Sequence, residues 1–335
     1  MFRWTDGRLY CMHSSGVRSA DCPNTIPKGR SFFHIRDVQT GRVVSCAAQS
    51  AGHSFFSAVV DYRRKTLWVF GSAQNRAGPH LGPCQMSVEA GCYVGAWSSK
   101  DLNNFTETAR ALTVPTGTMI FNTDVTFTQP PKTVNDNPVL PAHQAIMVLE
   151  PRYNMSLQPP SVGSRYSLAL NTGTDGDLTR NWQLLSYPLV SPITACPSIR
   201  FDGRTGFVYV LGGGKEISLA RSKDLVRWEM AKQYMAVPAA SLGHAYETSI
   251  GQYYSGYWRA QPPASAERLF LHNMTAWNFG VSDADVCCDD DGPAYILHLA
   301  IAQFAPKNFT GLHGPGYLAG GRSNVSLLHF LAAHF

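Results

Sequence analysis

The tetrapeptide Ser-Lys-Asp-Leu is written twice, each time behind an alternating apolar run and ahead of an aromatic residue: YVGAWSSKDLNNFT at 93–106 and ISLARSKDLVRWEM at 217–230. A unit repeated in this way cannot bury its apolar face alone, so copies stack on one another and the repeat constrains the fold before any single residue does. In the second copy Ile217, Leu219 and Arg221 alternate with Ser218, Ala220 and Ser222. Period two makes a strand of this run, Ser222-Lys223-Asp224 supplies a polar turn, and Trp228 opens the next strand. A looser third version, YSLALNTGTDGDLTRNWQLL at 166–185, puts Trp182 five residues after Asp177. Asp101, Asp177 and Asp224 are expected to accept backbone N–H groups within their own turns, while the Leu and the aromatic that follow pack inward.

Short β-rich runs precede these turns: LWVF at 67–70, AIMVL at 145–149, FVYVL at 207–211 and YILHLA at 295–300. Hairpin-like segments stand before three of them, two carrying the turn dipeptides Asp202-Gly203 and Asp291-Gly292. Hairpin, strand and Asp-Leu-aromatic turn make about four strands per unit, and units spaced irregularly by roughly 50 to 90 residues suit a propeller better than a sandwich. The expectation is an all-β fold, a five-bladed β-propeller of four-stranded antiparallel blades over 46–335, with 1–45 as an N-terminal extension. Pro-rich stretches at 128–143 and 257–268 read as loops between strands rather than linkers between domains.

With 44% hydrophobic and 15% charged residues the chain is globular. Its net charge of +5 is spread without a basic block, which gives no case for a nucleic-acid partner. The apolar stretch SLLHFLAAHF, broken by His329 and His334, is too short to span a bilayer, so no membrane partner is expected. Eight cysteines, with Cys11/Cys22 and Cys84/Cys92 spaced to close short loops, and sequons at Asn104, Asn154, Asn273, Asn308 and Asn324 point to a secreted or lumenal, disulfide-bonded glycoprotein. The opening MFRWTDGRLYCMHSSG shows neither the basic nor the apolar region of a signal peptide.

The segments LARSKDLVRWE, FNTDVTF, ACPSIRFDGRTGFVYVL and SDADVCCDDDGPAYI together resemble the five-bladed propeller glycosidases of glycoside hydrolase family 43 and its relatives, over roughly residues 50–305. The resemblance implies three carboxylates around a funnel at the propeller axis: a general base, an Asp that tunes pKa and orients, and a Glu as general acid. Cleaving an acetal needs a protonated acid beside the leaving oxygen and an ionised carboxylate across the ring. Asp124 in FNTDVTF matches the tuning Asp. Where the acid would stand the chain reads Ala195-Cys196-Pro197, and near the expected base it offers His53 and Ser54, with Asp61 in a turn beside Arg63 and Arg64.

Other carboxylates could take the missing roles. Glu150 closes the strand AIMVL, although an ion pair with Arg152 is an equal reading. Asp283 and Asp285 share one strand face by period two, where two buried acids would raise one pKa; a solvated edge or a hydrogen-bonded junction is the alternative. The resulting set is Asp124, Glu150 and Asp283 for catalysis and His53, Asp285 and Arg200 for sugar binding, His53 being also a candidate core histidine. No metal or cofactor is expected: Asp289-Asp290-Asp291-Gly292 lacks the ligand alternation of a calcium loop, Cys287-Cys288 is no zinc signature, and Gly212-Gly213-Gly214-Lys215 precedes no helix. The expected function is a glycoside hydrolase acting on an oligosaccharide or polysaccharide through carboxylate acid/base catalysis. The alternative is a propeller that has lost its acid and binds carbohydrate without cleaving it.

Overall fold

The computed structural model describes residues 2–15, 32–37, 39–40, 42–46, 53–74, 91–114, 118–128, 140–153, 165–185, 189–190, 195–213, 218–231, 279–287, 293–302, 316–333 and 335. These form antiparallel sheets in which strands consecutive in the chain lie side by side. One sheet holds β1 (Phe2–Arg3), β2 (Leu9–Ser15), β3 (Phe32–Asp37) and β4 (Val43–Ser45), and the next β5 (Ser54–Asp61), β6 (Thr66–Gln74), β7 (Cys92–Ser99) and β8 (Thr106–Thr113). A third is built from β9 (Thr118–Phe127), β10 (Ala145–Tyr153), β11 (Arg165–Asn171) and β12 (Trp182–Leu184), with β13 (Leu189–Val190) also paired to β11. Then come β14 (Ala195–Phe201), β15 (Val208–Gly213), β16 (Ser218–Ser222) and β17 (Glu229–Met230), and finally β18 (Phe279–Cys287), β19 (Pro293–Ala302) and β20 (Gly316–Ser326). A short helix, α1 (Leu327–Ala332), follows, its first turn capped by Ser326 Oγ, which accepts the His329 N–H.

The four apolar runs read from the sequence lie in β6, β10, β15 and β19. Period two then decides which sheet each side chain meets. On β10, Ala145, Met147 and Leu149 pack with Trp68, Phe70 and Val94 of the second sheet, whereas Ile146 and Val148 pack with Ile199, Phe201 and Val210 of the fourth. The third sheet is thus buried on both faces. The second is too, because Leu67, Val69 and Trp97 turn the other way, onto Phe2, Tyr10, Phe33 and Ile35 of the first. Within 1–45, expected to be an extension, the described residues form a sheet of the same meander order packed on its neighbour. First strands adjoin from sheet to sheet: β5 meets β9, β9 meets β14, and β14 meets β18.

The repeated motif has one geometry. Asp101 Oδ1 accepts the N–H groups of Asn103 and Asn104 at 2.9 and 2.8 Å, and Asp224 Oδ1 accepts those of Val226 and Arg227 at 2.9 and 2.8 Å. Asp177 Oδ1 accepts the Thr179 N–H at 2.9 Å. Leu102 and Leu225 sit at φ 65° and 63°, in the left-handed region, which their burial outweighs. Asp61 is the turn residue expected, accepting the Arg64 N–H and pairing with its guanidinium at 3.0 Å.

Each first strand from β5 onward carries a register irregularity. On β5 it falls between Ser54 and Ser57, on β14 between Ala195 and Ser198, on β18 between Ser282 and Asp285, and on β9 it lies opposite Leu149–Pro151. Bulges re-aim side chains. On β18, Ser282 and Asp285 pair with Leu299 and Leu297, two residues apart on β19, so the alternation expected to align Asp283 with Asp285 is interrupted.

Two further expectations are corrected or displaced. Cys11 is a buried thiol, 1% exposed, with Sγ 3.8 Å from the Met12 carbonyl oxygen, so the Cys11/Cys22 bridge does not form. Cys46 and Cys92 are disulfide-bonded. Cys22, Cys84 and Cys288 and the sequons at Asn154, Asn273 and Asn308 lie outside the described residues.

Candidate functional site

Asp124 stands on β9 opposite Val148 of β10, on the face turned to the fourth sheet. It is 8% exposed. Its Oδ2 accepts three donors from β14: the Ser198 hydroxyl at 3.0 Å, the Ile199 N–H at 2.9 Å and Arg200 Nη1 at 3.0 Å. Arg200 Nη1 also donates to the Ile199 carbonyl at 2.6 Å. A carboxylate buried between two sheets needs such donors to offset its desolvation, and a guanidinium among them makes the bonds charge-assisted. Asp124 and Arg200 are therefore brought together, with Arg200 acting first on a protein carboxylate.

Glu150 lies on β10, two residues beyond Val148 and so on the same face by period two. Only 1% of it is exposed, and Asn122 Nδ2 donates to its Oε2 at 2.8 Å. Asn122 is two residues before Asp124 on β9. Asn122, Asp124 and Glu150 thus share one face of adjacent strands beside the bulge. The Arg152 side chain lies outside the described part.

His53 is placed elsewhere, 1% exposed in an aromatic box at the head of β5. Its ring meets Trp97 edge-on at 4.7 Å and Tyr93 at 5.2 Å between centroids. Gly95 makes room for it, since a Cβ there would stand 2.7 Å from His53 Nε2. Ala195 opens β14 opposite Gly213, and Pro197 is buried, so the segment where the resemblance seeks an acid supplies no carboxylate. Asp283 and Asp285 lie on β18, which packs on β14 and β15; their side chains are outside the described part. Among the described residues no group of three His, Cys, Asp or Glu is placed to hold a metal ion.

Reasoning from the sequence missed Asn122 and Ser198. Asn122 carried a local signal, since Asn-Thr-Asp on a strand puts the first and third residues on one face. Ser198 carried none, being 74 residues from Asp124.

No family model matches the chain, nor does any curated protein. Solved structures do resemble it. The GH43_1 enzyme from Xanthomonas citri, complexed with xylose, is 10% identical with a TM-score of 0.48, over 95% of this chain and 84% of that one. A family 43 β-1,3-galactosidase with galactodeoxynojirimycin is 10% identical at TM-score 0.43, over 84% and 78%. A fructofuranosidase variant from Schwanniomyces occidentalis, complexed with fructosylnystose, is 11% identical at TM-score 0.45; the match covers 78% of this chain and 47% of that longer one.

Proposed function

We propose that the protein is a glycoside hydrolase built on a five-bladed propeller, with residues 2–45 as its first blade, acting on an oligosaccharide or polysaccharide by carboxylate acid/base catalysis. The observation that carries this reading is Glu150, a buried carboxyl group on β10 beside a bulge, whose Oε2 accepts Asn122 Nδ2 on the face that also carries Asp124.

In this reading Asp124, tied to Arg200, Ser198 and Ile199, exchanges no proton; it is a positioning residue that fixes β14 against β9. Glu150 donates the proton to the leaving oxygen, with Oε2 oriented by Asn122. Asp283 is the candidate for the ionised partner that activates water, and Arg200 and Asp285 are candidates for sugar contacts. Glu150→Gln is expected to lower kcat on a natural glycan by about a hundredfold or more, with far less loss on an aryl glycoside whose leaving group needs no proton. Equal losses on both substrates would remove Glu150 from the acid role. Failure of the unmutated protein to hydrolyse any member of a broad glycoside panel would defeat the enzyme reading.

Ala195-Cys196-Pro197 at the acid position and the engagement of Asp124 by three donors favour a second reading, a propeller that binds sugar without cleaving it. It predicts saturable sugar binding without turnover.

The protein is further proposed to be secreted or lumenal. Asn104, exposed in the first Ser-Lys-Asp-Leu turn, is a candidate glycan acceptor. Expressed in a eukaryotic secretory host, the chain should lose mass on enzymatic deglycosylation, and Asn104→Gln should lose one glycan fewer; an unmodified Asn104 in that host would sink the assignment.

A further inference from the structure

A pocket of about 280 Å³ opens at the second Ser-Lys-Asp-Leu turn, between the start of β15 and the end of β16. Its wall includes Trp228, Phe207 and three cations, Arg221, Lys223 and Arg227, with Asp224 and Glu229 as the acids. The charges are not equally available. Glu229 Oε2 is held by Arg221, whose Nε and Nη2 each reach it at 2.8 Å. Arg221 is also stacked between the rings of Phe207 and Phe335, its guanidinium carbon 4.4 and 4.1 Å from their centroids. Asp224 Oδ1 is taken by its own turn. Lys223, 4.8 Å from the centroid of the Phe207 ring, and Arg227 enter no ion pair among the described residues, and both are exposed.

The first copy of the turn shows that the fold does not require this arrangement. Ser99–Phe105 makes the same two Asp-to-N–H bonds and the same 3.1 Å Ser–Asp contact as Ser222–Trp228. Yet it has Asn104 where the second copy has Arg227 and Phe105 in place of Trp228. Asn104, exposed, donates through Nδ2 to Asp101 Oδ2 at 2.7 Å. The second cation and the indole are therefore additions to a turn that closes without them.

We propose that this pocket binds one acidic saccharide unit, a uronate or a sulfate ester, with its anionic group on Lys223 and Arg227 and its ring against Trp228. Aromatic walls take the apolar face of a sugar ring, and a guanidinium matches carboxylate or sulfate oxygens in a fork. The volume, at the lower end for ligand pockets, suits a single unit rather than a chain. The choice of a sugar rests on the glycan-handling reading above; the anion follows from two exposed cations that enter no ion pair among the described residues.

Calorimetric titration of the full chain with a methyl uronide, a sulfated disaccharide, their neutral counterparts and inorganic sulfate tests the site. The acidic saccharides should bind, weaken as salt rises, and lose tenfold or more in affinity in R227N/W228F, which rewrites the pocket as the first copy. That variant is expected to fold, because the first copy forms the same turn with those residues, and a thermal melt close to the parent's checks this before affinities are compared. Glu150→Gln should bind them unchanged. Absence of acidic-saccharide binding, binding that R227N/W228F leaves intact, equal binding of the neutral sugars, or inorganic sulfate binding as tightly as the saccharides would each overturn the proposal. Hydrolysis of a neutral glycan without acidic binding would overturn it alone; binding without hydrolysis would retain it and remove only the enzyme reading.

Discussion

At the scale of single residues the decisive group is Asp124, because it is where resemblance and geometry assign different work. The resemblance makes it a pKa tuner beside an acid, whereas three donors from β14 make it the tie between two sheets. Removing its charge takes a paired carboxylate from the Arg200 guanidinium in a site where that side chain is only 19% exposed. Breaking a buried pair typically costs 3–5 kcal/mol, and partial exposure lowers that, so Asp124→Asn is expected to destabilise by about 2–4 kcal/mol. Urea unfolding should show the loss, and Asp124→Asn/Arg200→Met should recover part of it, because the pair is then removed from both sides rather than one. An Asp124→Asn variant as stable as the parent would mean that the tie is not structural. Fall in turnover must then be read at temperatures where the variant is folded, since lost activity and lost packing otherwise look alike.

At the scale of elements, the repeated motif is a seal between sheets. Leu102 and Phe105 of the second sheet pack into the cluster shared with the first, Leu178 and Trp182 of the third into that shared with the second, and Leu225 and Trp228 of the fourth into that shared with the third. The Asp holds each turn in the shape that aims this pair. Its carboxylate pays no large desolvation here, and backbone donors from Arg227 and Val226 hold Asp224 below the usual carboxylate range, as Asn104 and Asn103 do more strongly for Asp101. A depressed folded pKa gives stability that is complete above the unfolded value, about 3.9, and is lost as pH falls through the folded one. Asp224→Asn should therefore be less stable than the parent at pH 7, and the gap should close as the pH is lowered below 3.9; a gap that persists undiminished in acid would assign the effect to shape rather than charge. The turn residues were legible in the sequence because each bond spans two or three residues. The strand runs were legible because their burial has period two. The tie from Asp124 to Arg200 crosses 76 residues, and the bulges depend on a partner strand, so neither left a local pattern. The short β1 and β4 gave too little alternation to mark the first sheet.

For the whole molecule, the seal makes the first sheet, drawn from described residues of the stretch 1–45, an expected part of the folding unit. Leu102 and Phe105 need an earlier sheet to close against, and Phe33 supplies it, its ring 5.0 Å from Phe105, 5.3 Å from Phe56 and 6.1 Å from Trp97. Phe2, Trp4, Tyr10, Phe33 and Ile35 are all buried in this interface. At about 1.5–3 kcal/mol for each large apolar side chain taken out of water, the five contribute roughly 8–15 kcal/mol, comparable with the entire net stability of a typical domain. Their loss would also uncover Leu67, Val69 and Trp97, a contiguous apolar face of the kind that drives association. A chain beginning at residue 46 is therefore expected to be recovered as soluble aggregate or not at all, to bind a hydrophobic dye strongly, and to show no cooperative melt. Size-exclusion chromatography with scanning calorimetry decides it: a monomeric truncated protein melting at the parent temperature would make residues 1–45 an appendage, and the remainder the folding unit.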